Sequence, residues 1–333
     1  MAGKPEIFSA RGNDVLQQFI ERTNRWGTQR RPFLFVIDYE MQRPWAAPLD
    51  ELPPDVVFRM PPDAAGAPTP TVDFQFEPHP MPFETYGAAF EQAMHHLQRG
   101  DTYLLNLTFP TRLTTNLDLR TMFRIARAPY KLYFQDRFTV FSPECFVRIA
   151  DNIIRTFPMK GTARADDPAA LREVLDDNKE RWEHATVVDL LRNDLAMVAA
   201  HVEVVRYRYP SRVSTHAGDW WQISSEIAGR LSPDWHHRVG SLLVRLLPAG
   251  SISGAPKART VQIIRDIEKQ PRGWFTGVFG VYGGRGLESA VMIRYVERRG
   301  DGTLWFRSGG GITAYSRAEA EYREMIQKVA LPL

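Results

Sequence analysis

Two short apolar runs, Cys145–Ile149 and Ile153–Phe157, are joined by a turn at Asp151-Asn152. A connection that short reverses the chain and pairs the runs antiparallel, because parallel neighbours need a crossover of a dozen or more residues. The rest of the chain agrees with that constraint. Strand patterns at 32–38, 102–108, 131–134, 138–141, 202–208, 221–231, 275–282, 289–297 and 303–308 alternate with single helices or helix pairs. The helical patterns fall at 12–26, 85–99, 167–175, 178–198, 235–247, 256–269 and from Arg317. No regular strand–helix–strand order emerges, so the pattern predicts an α+β fold rather than a doubly wound sheet. Eleven of the 24 prolines lie between 44 and 82, which predicts loops and edge strands there, wrapped on the core. The expected division is an N-terminal part, 1–83, packed on a core, 84–333.

The second run ends in Phe157-Pro158-Met159-Lys160-Gly161-Thr162. Proline cannot donate to a ladder, so the strand is predicted to stop at Pro158 and to present Lys160 just beyond a rigid end. A lysine held against apolar surface has its charged form disfavoured and becomes a candidate nucleophile. Gly161-Thr162 adds close backbone approach and a hydroxyl for an anionic ligand. The same hexapeptide also suits a strand-end lysine that reaches water.

Composition limits the partners. A formal charge of +3 and the absence of a basic run with interleaved aromatics argue against nucleic acid. One cysteine, Cys145, excludes an intramolecular disulfide and a multi-cysteine zinc site, which suits a reducing compartment. The first residues form no signal core and no stretch approaches a membrane span, so a cytoplasmic location is expected.

Two helical stretches carry glutamates three residues apart, Glu180 with Glu183 and Glu321 with Glu324, and Lys328 follows the second pair one turn on. Each pair points to one helix face. Together they suit a hard cation such as Mg²⁺, and separately they suit solvated faces with ion pairs. A glycine-rich loop, Pro248 to Lys257, enters a helix and could hold a carboxylate on its N–H groups and hydroxyls. It is not a P-loop, because Pro256 separates Gly254 from Lys257. Gly309-Gly310-Gly311 follows a strand expected to end near Arg307, and allows either ligand approach or a plain turn.

In this order the stretches resemble the chorismate-binding enzymes, the family of the anthranilate synthase and aminodeoxychorismate synthase large components. The matching segments run from Gly100–Thr108 through Ser142-Pro-Glu144, Pro158–Thr162, Asp177–His184, Asp189–Asp194, Gly250–Lys257, Arg272-Gly273, Met292–Arg294 and 309–311 to Glu321–Lys328. The resemblance covers roughly residues 85–333. It implies one large α+β domain with two antiparallel β-sheets packed together and flanked by helices. It implies Mg²⁺ on Glu183 and Glu324, supported by Glu180 and Glu321. Chorismate would be held by Gly161, Thr162, Ser251, Arg294, Gly309, Gly311 and Lys328. Within the family, anthranilate synthases carry Ala and aminodeoxychorismate synthases carry Lys at the position of Lys160. The resemblance therefore implies attack by Lys160 on the ring, with Glu144 as general acid. Ammonia would come from a separate glutamine amidotransferase subunit.

Three positions depart from the family pattern. Gln222 stands where many members carry His, Phe275 where relatives usually carry Tyr, and Leu104 where a glutamine is common, leaving Asn106 as the nearby polar group. Phe275 is expected to remove a hydroxyl from the substrate site. The alternatives are an anthranilate or isochorismate synthase, or a silent chorismate-binding subunit. Tryptophan feedback is not expected, because the family's tryptophan-binding segment is missing.

Overall fold

The turn at Asp151-Asn152 forms as predicted. Cys145–Ala150 pairs antiparallel with Ile153–Thr156, and both turn residues take left-handed backbone, φ 51° and 57°, as a two-residue hairpin requires. The structure is a computed structural model that describes residues 10–61, 72–215 and 218–333. Its strands form two antiparallel sheets. Among the described residues the first has nine strands, in the order Met159–Arg164, Gly218–Arg230, Ile153–Thr156, Cys145–Ala150, Leu287–Val291, Val278–Tyr282, Phe33–Ile37 and Trp45–Pro48, with Ala200–Thr215 also paired to Gly218–Arg230. The second has eight, in the order Gly254–Ala255, Leu104–Thr115, Leu304–Ile312, Tyr295–Arg298, Phe138–Ser142, Tyr130–Phe134 and Val56–Arg59, with Phe76–His79 paired to Leu104–Thr115. Among the described residues no helix is long and apolar enough to cross a membrane.

Phe33–Ile37 shows why the sheets need each other. All five residues are buried, and their alternation serves two faces. Leu34 and Val36 meet Leu132, Phe138 and Tyr295 between the sheets. Phe33, Phe35 and Ile37 turn the other way, toward Phe19, Trp26 and Leu243 of the flanking helices. On the outer face of the second sheet, Leu105, Leu107 and Phe109 pack on Tyr86, Phe90 and Ile264. Residues 10–61 supply strands to both sheets, and the short strands Trp45–Pro48 and Val56–Arg59 end them, as the proline content predicted. The remaining prolines at 62, 68 and 70 lie outside the described residues.

Several boundaries differ from expectation for identifiable reasons. Leu104–Thr115 runs through Pro110. Asn106 N donates outward to Ser253 O and Thr108 N outward to Glu268 Oε1. Pro110, two residues further, falls in the same outward set, so its missing N–H costs no bond to Leu304–Ile312. The helix Leu119–Ile125 was not foreseen; the Asp118 side chain caps it, accepting from Thr121 N at 2.6 Å. The predicted strand 289–297 is two strands, one in each sheet, because the chain crosses at 292–294 with Arg294 at φ 52°. The glycines at 309–311 continue a strand rather than follow one.

One buried charge cluster joins these parts. Glu268 Oε1 accepts from Thr108 N and Oγ1, both at 2.9 Å, and from Arg272 Nη2 at 2.7 Å. Its Oε2 accepts from Arg272 Nε at 3.0 Å and Arg307 Nη2 at 2.9 Å. Arg272 also donates to Ile252 O at 2.8 Å and Asn106 O at 2.6 Å. The Glu268 and Arg272 side chains are each 1 % exposed. Removing the carboxylate would strand two buried cations, which costs about 3–5 kcal/mol. Glu268→Ala should therefore lower the urea midpoint by that equivalent, and an unchanged midpoint would show that the cluster does not stabilise the fold.

A second buried polar group makes stability depend on pH. His236 Nδ1 bonds Tyr282 Oη at 2.7 Å, and Nε2 bonds Arg30. Burial, then the Arg30 charge, pushes its pKa down from 6.5 to about 4. The unfolded chain thus binds this proton at a higher pH than the native state, so stability is lost as pH falls from 6.5 toward about 4. The drop in melting temperature between pH 7 and pH 5 should be smaller in His236→Gln than in wild type. Equal drops would remove His236 as the cause.

Candidate active site

Pro158 interrupts the first sheet's edge without ending it. Its carbonyl still accepts from Ser225 N at 2.9 Å, and the chain resumes as Met159–Arg164 along the same neighbour. Between Met159 and Thr162 the register slips against Ser224 and Gln222, with Gly161 at φ +86°. This is a bulge, and it carries Lys160. The sequence expectation of a strand end is corrected on this point, because Pro158 needs only its carbonyl to stay in the ladder. A Cβ at Gly161 would stand 3.0 Å from Val174 Cγ1 and 3.2 Å from Glu180 Oε2. The bulge therefore fits closely against the first glutamate pair.

That pair sits at the start of the helix Asn178–Ala196, where the Asp177 side chain accepts from Glu180 N at 2.9 Å. Lys160 Nζ lies 2.7 Å from Glu183 Oε2, and Thr313 Oγ1 donates to Glu183 Oε1 at 3.2 Å. Glu180 Oε2 is buried with no hydrogen-bond partner among the described residues. The second pair belongs to the helix Ala318–Gln327. Lys328 Nζ lies 2.7 Å from Glu324 Oε1 and donates to Gly309 O at 2.8 Å. A Cβ at Gly310 would meet Glu321 Oε2, Glu324 Oε1 and Lys328 Nζ at 3.5–3.6 Å. The glycine strand thus forms one wall of the carboxylate group.

The four glutamates and two lysines share one electrostatic neighbourhood. Burial pulls the Lys160 pKa down, but Glu183, Glu180 and Glu324 together outweigh it and raise the pKa above the usual lysine value. This corrects the expectation of a partly neutral amine. The strand end is not the apolar surface it was taken for, since three carboxylates face it.

Among the described residues, no three carboxylate, histidine or cysteine side chains are grouped so that they could hold a metal ion as they stand. The donor set nevertheless fits a hard cation. It is all oxygen, it includes a buried carboxylate oxygen without a partner, and two ammonium groups already occupy neighbouring oxygens.

Glu144 follows the strand Phe138–Ser142, and Ser142 Oγ accepts its N–H at 3.1 Å. Its Oε1 accepts from Ser251 Oγ at 2.5 Å. Burial raises its pKa above the ordinary carboxylate range, while Ser251 and the Lys328 charge pull against that. A carboxyl whose pKa is raised keeps its proton to higher pH, which favours it as a proton donor. Ser251, expected on substrate, is in the structure hydrogen-bonded to this acid.

Arg294 is mostly buried, with Nη1 donating to Lys328 O at 2.7 Å. Burial lowers its pKa, and among the described residues no carboxylate pairs with it. A buried guanidinium without an anionic partner is suited to a carboxylate from outside. Asn106 is tied by its backbone, its carbonyl taking Arg272 Nη2, and it pairs with Gly311. Leu104 Cδ1 lies 3.1 Å from where a Gly311 Cβ would be, so the departure at 104 lays an apolar side chain over that glycine. Gln222 is the cross-strand partner of Thr162, and its carbonyl accepts from Ser211 Oγ at 3.2 Å. The Thr162 side chain lies outside the described ones. Phe275 is 3 % exposed and packs on Tyr295 and Arg307 between the sheets. The ring thus sits in the core, whereas the resemblance put this position at the substrate site.

Sequence reasoning gave no roles to Asp194, Glu268, Arg307 or Thr313. Lys257 Nζ pairs with Asp194 Oδ1 at 2.7 Å across 63 positions of sequence, and no local spacing announces such a partner.

Comparison with known proteins gives this geometry a family. A family model for chorismate binding enzymes matches residues 63–333. The chain is 47% identical over 324 residues to an uncharacterized PabA-like protein of Haemophilus influenzae, covering 96% of this chain and 98% of that one. It is 34% identical to aminodeoxychorismate synthase component 1 of Salmonella typhimurium over 263 residues, 73% of this chain but only 56% of the relative. The fold is shared with the anthranilate synthase component I from Streptococcus pneumoniae, at TM-score 0.65 and 27% identity over 77% of this chain and 58% of that one. It is shared too with a 2,3-dihydroxybenzoate-specific isochorismate synthase from Bacillus anthracis, at TM-score 0.69 and 23% identity over 95% and 86%. The order of motifs, the two packed sheets and these matches agree, and the chain belongs to the chorismate binding enzymes.

Proposed function

We propose that this chain is an aminodeoxychorismate synthase component I, converting chorismate and ammonia to 4-amino-4-deoxychorismate. The observation that carries this reading is Lys160 itself, an amine set on a strand bulge 2.7 Å from Glu183 and facing the carboxylates of two helices. A lysine there supplies a nucleophile to the ring, which an alanine cannot.

In the proposed reaction Arg294 and Lys328 bind the substrate carboxylates, and the glycine backbones at 161, 309 and 311 let the ring approach. Mg²⁺ held by Glu183 and Glu324, with Glu180 and Glu321 in support, would neutralise those carboxylates and take a substrate carboxylate. Lys160 loses its proton to water, and burial then favours its neutral form. The amine forms a bond to C2 as the C4–O bond breaks, and Glu144 gives its proton to the departing hydroxyl, releasing water. Ammonia then bonds to C4, the C2–N bond to Lys160 breaks, and the surplus proton returns to Glu144. Each half replaces one hard displacement by an easier one.

Ammonia is assigned to a separate glutamine amidotransferase subunit. Cys145 is the chain's one cysteine, and burial, then Glu288, pushes its thiol up to about 12, which unsuits it as a glutaminase nucleophile.

Purified protein with chorismate, an ammonium salt and Mg²⁺ should make the 4-amino product, and Lys160→Ala should reduce its formation by roughly 100-fold or more. Without ammonia, wild type should carry a ring adduct on Lys160, read by intact mass and peptide mapping. A 2-amino or hydroxylated product from wild type, or wild-type output from Lys160→Ala, would overturn the assignment.

Chelation should abolish turnover reversibly, and Glu324→Ala should lose turnover while its circular dichroism and melting temperature stay near wild type. Full turnover in metal-free buffer would remove the cation from the reaction.

A further inference from the structure

Glu144 and Asp194 face one small cavity whose walls are otherwise mostly apolar, among them Phe146, Val147, Leu191 and Leu195. Asp194 is 8 % exposed. Its Oδ1 pairs with Lys257 Nζ at 2.7 Å, and Lys257 also donates to Leu246 O at 3.0 Å, so the lysine grips both ends of the segment 246–257. The Gly250 backbone lies directly against the Asp194 carboxylate. That contact is close: a Cβ at Gly250 would stand 2.6 Å from Asp194 Oδ2. The next residue is Ser251, on the one-turn helix Gly250–Ile252, and its hydroxyl donates to Glu144 Oε1 at 2.5 Å. Arg272 fixes the far side of that turn through Ile252 O at 2.8 Å. A hydroxyl this close to a carboxyl must be held by its backbone, because the serine side chain has one rotatable bond to its oxygen.

We infer that the Asp194–Lys257 ion pair is the positioning device for Glu144: it fixes the turn that keeps the Ser251 hydroxyl on Oε1, leaving Oε2 as the atom that carries and delivers the proton. The inference rests on the reading of Glu144 as general acid, and it adds a specific dependence. The groups that bear on Glu144 are the Ser251 hydroxyl, the Lys328 ammonium at the end of the last helix and, at the neighbouring position, the Cys145 thiol. Asp194 bears on Glu144 through the turn, since Gly250 lies against its carboxylate and Ser251, the next residue, holds Glu144 Oε1. Loss of the Ser251 bond removes an interaction that favours the ionised carboxylate, so Glu144 must then titrate at higher pH.

The test uses Asp194→Asn, Gly250→Ala and Ser251→Ala in the full chain, each checked for folding by circular dichroism. Gly250→Ala disturbs the turn without removing a charge. The first readout needs no turnover: the Glu144 carboxyl is followed by ¹³C NMR of glutamate-labelled protein, assigned with Glu144→Gln. All three variants should shift its titration upward. The second readout is chorismate consumption against pH at fixed free ammonia. Here kcat should fall roughly 10- to 100-fold, the high-pH limb should move upward, and KM for chorismate should stay within about threefold. Asp194→Asn combined with Ser251→Ala should be no worse than the more damaging single change. A Glu144 titration left at its wild-type position in folded Asp194→Asn and Gly250→Ala would overturn the inference, whatever the enzyme makes. If wild type consumes no chorismate, the proposed function fails, while the NMR titration still decides the role of Asp194.

Discussion

Glu268 sits where the two largest demands of this fold meet. The strand Leu104–Thr115 needs partners for N–H groups that point away from its sheet neighbour, and two arginines need an anion inside the core. One carboxylate meets both needs. Burying three charges is costly, and the cost is recovered only because nearly every lone pair and donor in the cluster is used. Arg272 extends that order outward. Its bonds to Ile252 O and Asn106 O fix the turn that bears Ser251 and the strand that faces the glycines. The turn beside the proposed acid and the glycine wall are therefore both tied to this ion cluster, the second through Arg307 on the glycine strand itself.

The cleft follows a different charge logic. Two glutamate pairs from separate helices face two lysines, and the lysines are bonded to them at 2.7 Å. Lys160 is half-buried, and without its carboxylates burial would govern its proton. With them, it is a cation among anions. The two states differ by whether the carboxylates are engaged elsewhere, so occupancy of the carboxylate oxygens and nucleophilicity of the amine are physically linked in the proposed reaction. Glu180 Oε2, buried and without a hydrogen-bond partner among the described residues, lies beside this pairing.

Much of this was legible in the chain. The Asp151-Asn152 turn, the proline-rich edges and the helix periods gave the α+β class and most elements, because each rests on local geometry. The glutamate pairs and Lys160 were legible as well, because three-residue spacing places two carboxylates on one face. What could not be read was tertiary. Pro110 sits in a central strand only because its missing N–H falls on the side away from Leu304–Ile312. Phe275 was assigned to the site by motif, whereas its contacts are Tyr295 and Arg307 in the core. The protonation of Lys160 depended on carboxylates 20 and more residues away, and no strand pattern carries that information.

The interruption at Pro158 explains how those distant carboxylates meet the lysine. In a regular strand, side chains alternate strictly, and Met159, Lys160 and Gly161 would take positions fixed by the register of Gly218–Arg230. Proline withholds one N–H, the ladder slips by one residue before Thr162, and Gly161 takes a left-handed backbone that a side chain would resist. The extra residue frees Lys160 from the alternation, and the absent side chain at 161 brings the helix bearing Glu180 to within contact of the strand. Both steps are needed. A bulge without the glycine would hold the helix off, and a glycine without the bulge would leave the lysine in the ladder's alternation, so the order Pro-x-Lys-Gly is a structural requirement before it is a chemical one.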